Sequence, residues 1–122
     1  MIDFELIREY CLSFPGTFEQ IQWESSLLFK VGPKKIGKIF TVYSLHEGSV
    51  NRITLKCTPE KFSELTESEC IIQAPYFARN KWVTIQDGCM KKTSELRELI
   101  KTSYELVLCN LPKKIQAGLQ GI

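Results

Sequence analysis

Histidine is nearly missing from this chain: His46 stands alone among 122 residues. It has no flanking nucleophile, and a zinc site would need clustered Cys and His ligands that the sequence does not supply. There is no G-x-S-x-G, no Walker loop and no dinucleotide fingerprint. No apolar run approaches the length of a membrane span. The N-terminus, Met1-Ile2-Asp3-Phe4-Glu5, is acidic and amphipathic, so no signal peptide is expected. Acids in a first helical turn, such as Asp3, Glu5 and Glu9, ordinarily complement the helix dipole rather than bind a metal. No base can be set against a nucleophile or an acid, so no reaction class can be named. The chain is read as non-catalytic, with no metal and no cofactor.

The five cysteines, Cys11, Cys57, Cys70, Cys89 and Cys109, are odd in number, and none forms a C-x-x-C. With no secretory signal they read as reduced thiols in a cytoplasmic protein. Cys11, Cys57 and Cys109 sit inside apolar patterns as small hydrophobes.

What the chain does have is enough apolar sequence for one self-sufficient domain, residues 1–122, with 43% hydrophobic and 25% charged residues. Asp3 caps a first helix whose apolar face is Phe4, Ile7, Cys11 and Phe14, stopped by Pro15-Gly16. Thr17 to Glu24 reads as a polar connection carrying Phe18, Ile21 and Trp23. Strands follow at Leu27–Val31, Ile36–Leu45 and Arg52–Cys57, joined by turns at Gly32–Lys35 and His46–Ser49. Gly37 marks a bulge or a late turn. Ile53, Leu55 and Cys57 face inward, and Arg52, Thr54 and Lys56 face outward. Thr58 caps a second helix with Pro59 at its first position, ending near Glu67. Ile71–Pro75 is short and extended, and Trp82–Ile85 is a fourth strand. A final helix starts at Thr93 or Ser94 and runs to about Asn110. Its apolar stripe is Leu96, Leu99, Ile100, Ser103, Val107 and Leu111. The tail to Ile122 has room for a short extra turn. The order α-β-β-β-α-β-α describes an α+β two-layer sandwich, an antiparallel sheet with helices on one face.

The net charge of +2 is small, but its layout is uneven. Residues 1–29 carry five acids and one base, whereas residues 30–56 carry six bases against Glu47 alone. Residues 71–92 carry four bases, Arg79, Lys81, Lys91 and Lys92, against Asp87. Positive charge gathers on strands and turns, which permits one electropositive face; lysine on strand edges also guards against edge pairing. The segment Ala74–Val83 interleaves Tyr76, Phe77 and Trp82 with Arg79 and Lys81, a chemistry suited to phosphate contact and base stacking. As a large apolar side chain at a strand start, Trp82 also fits the core.

Several segments in order resemble the MmcQ/YjbR family. They are Cys11-Leu-Ser-Phe-Pro-Gly-Thr17, Leu28-Phe-Lys-Val-Gly32, Leu55-Lys-Cys-Thr-Pro-Glu60, Ala74-Pro-Tyr-Phe-Ala-Arg-Asn-Lys-Trp-Val83, and Ser103-Tyr-Glu-Leu-Val107 with Leu111-Pro-Lys-Lys114. Lys81 stands where that family often has histidine before the tryptophan. The resemblance implies a frataxin-like (CyaY-like) fold and DNA binding through two β-hairpin wings, here the turns at Gly32–Lys35 and His46–Val50. The phosphate-contacting set is then Lys34, Lys35, Lys38, Arg52, Lys56, Arg79 and Lys81. The alternative is a protein- or small-ligand-binding adaptor without a DNA role, with a cleft around Trp23, Tyr76, Phe77 and Trp82. A third reading carries metal handling over from the fold, through Asp3, Glu5 and Glu9.

Overall fold

The computed structural model describes residues 4–22, 26–44, 52–74, 81–86, 89 and 93–120. The elements are α1 (Phe4–Leu12), β1 (Thr17–Gln22), β2 (Ser26–Val31), β3 (Lys38–Ser44), β4 (Arg52–Lys56), α2 (Pro59–Leu65), β5 (Ile71–Gln73), β6 (Trp82–Gln86), α3 (Thr93–Leu108) and α4 (Lys113–Gln120). The strands form one antiparallel sheet in the order β1-β2-β3-β4-β6-β5.

The expected two-layer α+β architecture holds, and three elements are added to the expected order. Thr17–Gln22 is a strand, not a polar connection. It pairs with β2 along its whole length, from Thr17 opposite Val31 to Gln22 opposite Ser26. Its polar sequence reflects its place at the sheet edge, where little of it faces the core. Ile71–Gln73 becomes a second edge strand, paired with β6. The tail forms an eight-residue helix rather than one short turn. Gly37 lies in the turn before β3, and the bulge falls between Phe29 and Lys30 of β2 and their partners Thr41 and Ile39.

Register assigns the faces. Phe29, Tyr43, Ile53, Leu55, Val83 and Ile85 share one face, all buried, with α1 and α3 against it. The stripe read on α3 is the buried one, and Ile7 and Cys11 bury α1. Burying side chains of this size is worth roughly 1.5–3 kcal/mol each. Phe14 stacks on Tyr104 at 4.6 Å, and both rings meet Phe40 edge-on. The Tyr104 hydroxyl donates to the Pro15 carbonyl at 2.7 Å, tying α3 to the end of α1. Thr58 caps α2 as expected, its hydroxyl accepting from Lys61 N at 3.2 Å.

The cysteine expectation is corrected. Cys70 and Cys89, 19 residues apart, are joined in a disulfide. The antiparallel pairing of β5 with β6 brings the residue before one strand beside the segment after the other, a closeness that linear spacing conceals. Cys11 and Cys57 are free and buried, as small hydrophobes should be, whereas Cys109 is free and exposed near the end of α3.

Candidate nucleic-acid interface

The β2–β3 turn is built by its glycines and Pro33. The Pro33 carbonyl accepts from Ile36 N at 3.0 Å and Gly37 N at 2.6 Å. Gly32 has a φ of 113°, a conformation open chiefly to glycine. The turn projects Lys34, Lys35 and Lys38, all exposed. A side chain on Gly32 would come within 3.4 Å of the Leu111 methyl Cδ1, so the turn abuts the α3–α4 junction. That junction leads directly into Lys113 and Lys114, also exposed. Five lysines therefore occupy one end of the molecule. No ion pair joins any of them to a carboxylate among the described residues. Lys113 and Lys114 sit in the first turn of α4, which has no acidic residue, so the positive end of the helix dipole adds to their charge. Sequence reading placed Lys113 and Lys114 in a family motif but not in the site. Their signal lies in tertiary contact between residues about eighty positions apart.

The other expected contacts divide. Lys56 lies opposite Trp82 near the same end of the sheet, and Lys81 precedes Trp82. Arg52 pairs with Ser44 and Gln86 at the opposite end, roughly 20 Å away along β3 at ~3.3 Å per residue. Its buried Nε has no hydrogen-bond partner among the described residues. Of the two proposed wings, only the turn at Gly32–Lys35 lies among the described residues. Successive turns of an antiparallel meander leave from opposite ends, and the strand ends flanking 45–51 are Ser44 and Arg52. Residues 46–50, Arg79, Trp23, Tyr76 and Phe77 lie outside the described residues, as does Asp3. The face turned away from α1 and α3 carries Lys30, Arg52 and Lys56 and no acid among the described residues.

Lys81 is the one described non-glycine residue with a positive φ, 58°. Its carbonyl accepts from Cys57 N at 3.0 Å and from the Cys57 thiol at 3.3 Å. Its ammonium lies 4.9 Å from the centre of the Phe62 ring. Trp82 is buried in the core, as its size favours. The buried thiols are the reverse of activated. Burial pushes Cys11 up to about 12, and burial pushes Cys57 up to about 11 despite the neighbouring Lys81. No group of three or more His, Cys, Asp or Glu able to hold a metal occurs among the described residues. No helix among them is long and apolar enough to cross a membrane.

The sequence profile of the YjbR family matches residues 12–106. The chain belongs to the YjbR family. A crystal structure from Deinococcus radiodurans, assigned the family-model domain DUF419, is similar at 26% identity with a TM-score of 0.83, over 95% of this chain and 86% of that one. A Pseudomonas syringae protein of 19% identity, over 87% of this chain and 99% of that one, shares the fold at a TM-score of 0.68. No curated protein matches. The YjbR match begins at the last residue of α1 and ends inside α3, so the sheet and its lysine turn lie within it, while Lys113 and Lys114 lie beyond.

Proposed function

We propose that this YjbR-family protein is a small, non-catalytic module that binds nucleic acid, DNA in the first instance, through its lysine-bearing end. The observation that carries the reading is the meeting of Lys34, Lys35 and Lys38 with Lys113 and Lys114 where the β2–β3 turn abuts the α3–α4 junction. Flexible exposed ammonium groups suit phosphate oxygens, giving affinity with little sequence preference. Lys56 and Lys81 extend the basic surface along the sheet end. Arg52, at the far end of the sheet, stands apart from this set.

The test is fluorescence anisotropy of labelled duplex and single-stranded DNA across a salt series. Affinity should fall linearly in log–log salt, with a slope of about −0.9 per phosphate contacted on duplex. The variant Lys34→Glu/Lys35→Glu/Lys38→Glu should weaken binding at least tenfold and reduce the slope by roughly 2–3. Lys113→Glu/Lys114→Glu should do the same to a smaller degree. Binding that survives all five changes in a folded protein, or no binding at low salt, sinks the reading. The adaptor alternative then becomes the one to pursue, by searching for a protein partner.

A further inference from the structure

We infer that β1 is a self-pairing edge, and that two copies of this chain join through antiparallel β1 strands about a two-fold axis at Glu19. The inference does not depend on nucleic-acid binding.

β1 is one of the two edges of the sheet, and the hydrogen-bonding direction of each of its residues can be assigned. Gly32 N donates to the Gly16 carbonyl at 2.9 Å, so residues 16 and 32 form a hydrogen-bonded pair. Such pairs alternate along an antiparallel ladder. The register Thr17 opposite Val31 therefore directs the backbone groups of Phe18, Gln20 and Gln22 toward β2. Those of Thr17, Glu19 and Ile21 point away from the sheet. Three N–H and three C=O groups thus line the open edge, with no partner for any of them among the described residues.

Natural sheets blunt such edges with lysine, proline, a bulge or extreme shortness. β5, the other edge, is three residues long and is anchored by the disulfide at Cys70. β1 has none of these guards, and its one charged residue, Glu19, is already neutralised by Arg8. It runs six residues, Thr-Phe-Glu-Gln-Ile-Gln, in unbroken register, and its Ile21 is 74% exposed.

The occupant that fits is a second β1. Centring the two-fold axis on Glu19 sets Glu19 opposite Glu19 and Thr17 opposite Ile21. Each of these is an outward-directed pair, so all six edge groups of each strand are satisfied without a register shift. Thr17 and Ile21 then share a face, which covers the exposed isoleucine. The charges also match. Arg8 holds Glu19 by two bonds, Nε to Oε2 at 2.8 Å and Nη2 to Oε1 at 2.7 Å. Two carboxylates meeting at the axis are therefore each already paired with a guanidinium. The Nη1 donors of Arg8 make no hydrogen bond among the described residues, which leaves them to meet the partner's carboxylate. An arbitrary extended peptide brings no such arginine.

Sedimentation equilibrium of the full chain tests this, with near-UV circular dichroism confirming the fold of each variant. The wild type should show a concentration-dependent species of twice the chain mass. Ile21→Pro removes an outward N–H that the monomer does not use, and Ile21→Lys installs the missing guard; both should be monomeric. In a Cys109→Ser background, Thr17→Cys/Ile21→Cys should give an oxidised dimer whose cross-links join position 17 to position 21. A monomer at every concentration, a dimer that survives both Ile21 variants, or cross-links joining 21 to 21 would overturn the proposal.

Discussion

The three free cysteines differ in environment far more than in sequence. Cys11 and Cys57 are buried, with thiols held up to about 12 and about 11, while Cys109 is exposed. The thiolate is the reactive form. At mildly alkaline pH an alkylating reagent should therefore label Cys109 in the folded protein and leave Cys11 and Cys57 untouched until denaturant is added. Intact-mass spectrometry before and after unfolding reads this directly. The Arg8–Glu19 pair gives a second expectation. Hydrogen bonding to Arg8 holds the Glu19 carboxyl below its ordinary value. A carboxyl lowered by folding adds stability that is complete above its unfolded pKa, about 4.3, and is lost as pH falls through the lowered value. Glu19→Gln should flatten the loss of thermal stability below about pH 4 and leave its pH dependence near neutrality unchanged. The effect should be small and weakened by salt, because the pair is partly exposed.

Among the elements, α3 is fastened to the sheet through one serine. Ser103 Oγ donates to the Phe40 carbonyl at 2.6 Å and accepts from Lys56 N at 2.9 Å, bridging β3 and β4 beside the bulge. Ser103→Ala would leave a buried carbonyl and an N–H unpaired, costing roughly 2–4 kcal/mol in urea unfolding. Gly37→Ala should also destabilise, by roughly 1–3 kcal/mol. Its new methyl would fall 2.9 Å from the Phe18 ring and 3.1 Å from the Pro33 carbonyl. Most elements were legible because burial imposes a period. β4 alternates, and α3 repeats its apolar stripe. β1 was not legible, because an edge strand with polar residues on both faces leaves no alternation to detect. Ser103 appeared in the stripe as a small residue, but its bridging role depends on a bulge that no local pattern announces.

For the molecule as a whole, the turn lysines were visible from composition and turn chemistry. Their convergence with Lys113 and Lys114 was not, since it arises only when α3 lays its C-terminal end beside Gly32. The strand ends that flank the second hairpin turn, Ser44 and Arg52, lie at the end of the sheet opposite the lysine turn, because a meander alternates its ends. The disulfide was invisible for a related reason, as only the β5–β6 pairing brings its halves together. In the chain-entropy account, closing a loop of this length stabilises by about 3 kcal/mol. Reduction should lower the urea midpoint accordingly, and Cys70→Ser/Cys89→Ser should reproduce the reduced protein and no longer respond to reductant.

That same bond makes residues 70–89 a closed covalent ring carrying two tails. The ring holds β5, β6 and the Tyr76–Lys81 stretch. A single cut inside it severs the polypeptide without releasing either half. The two fragments stay one molecule under oxidising conditions and part only when a reductant and a denaturant act together.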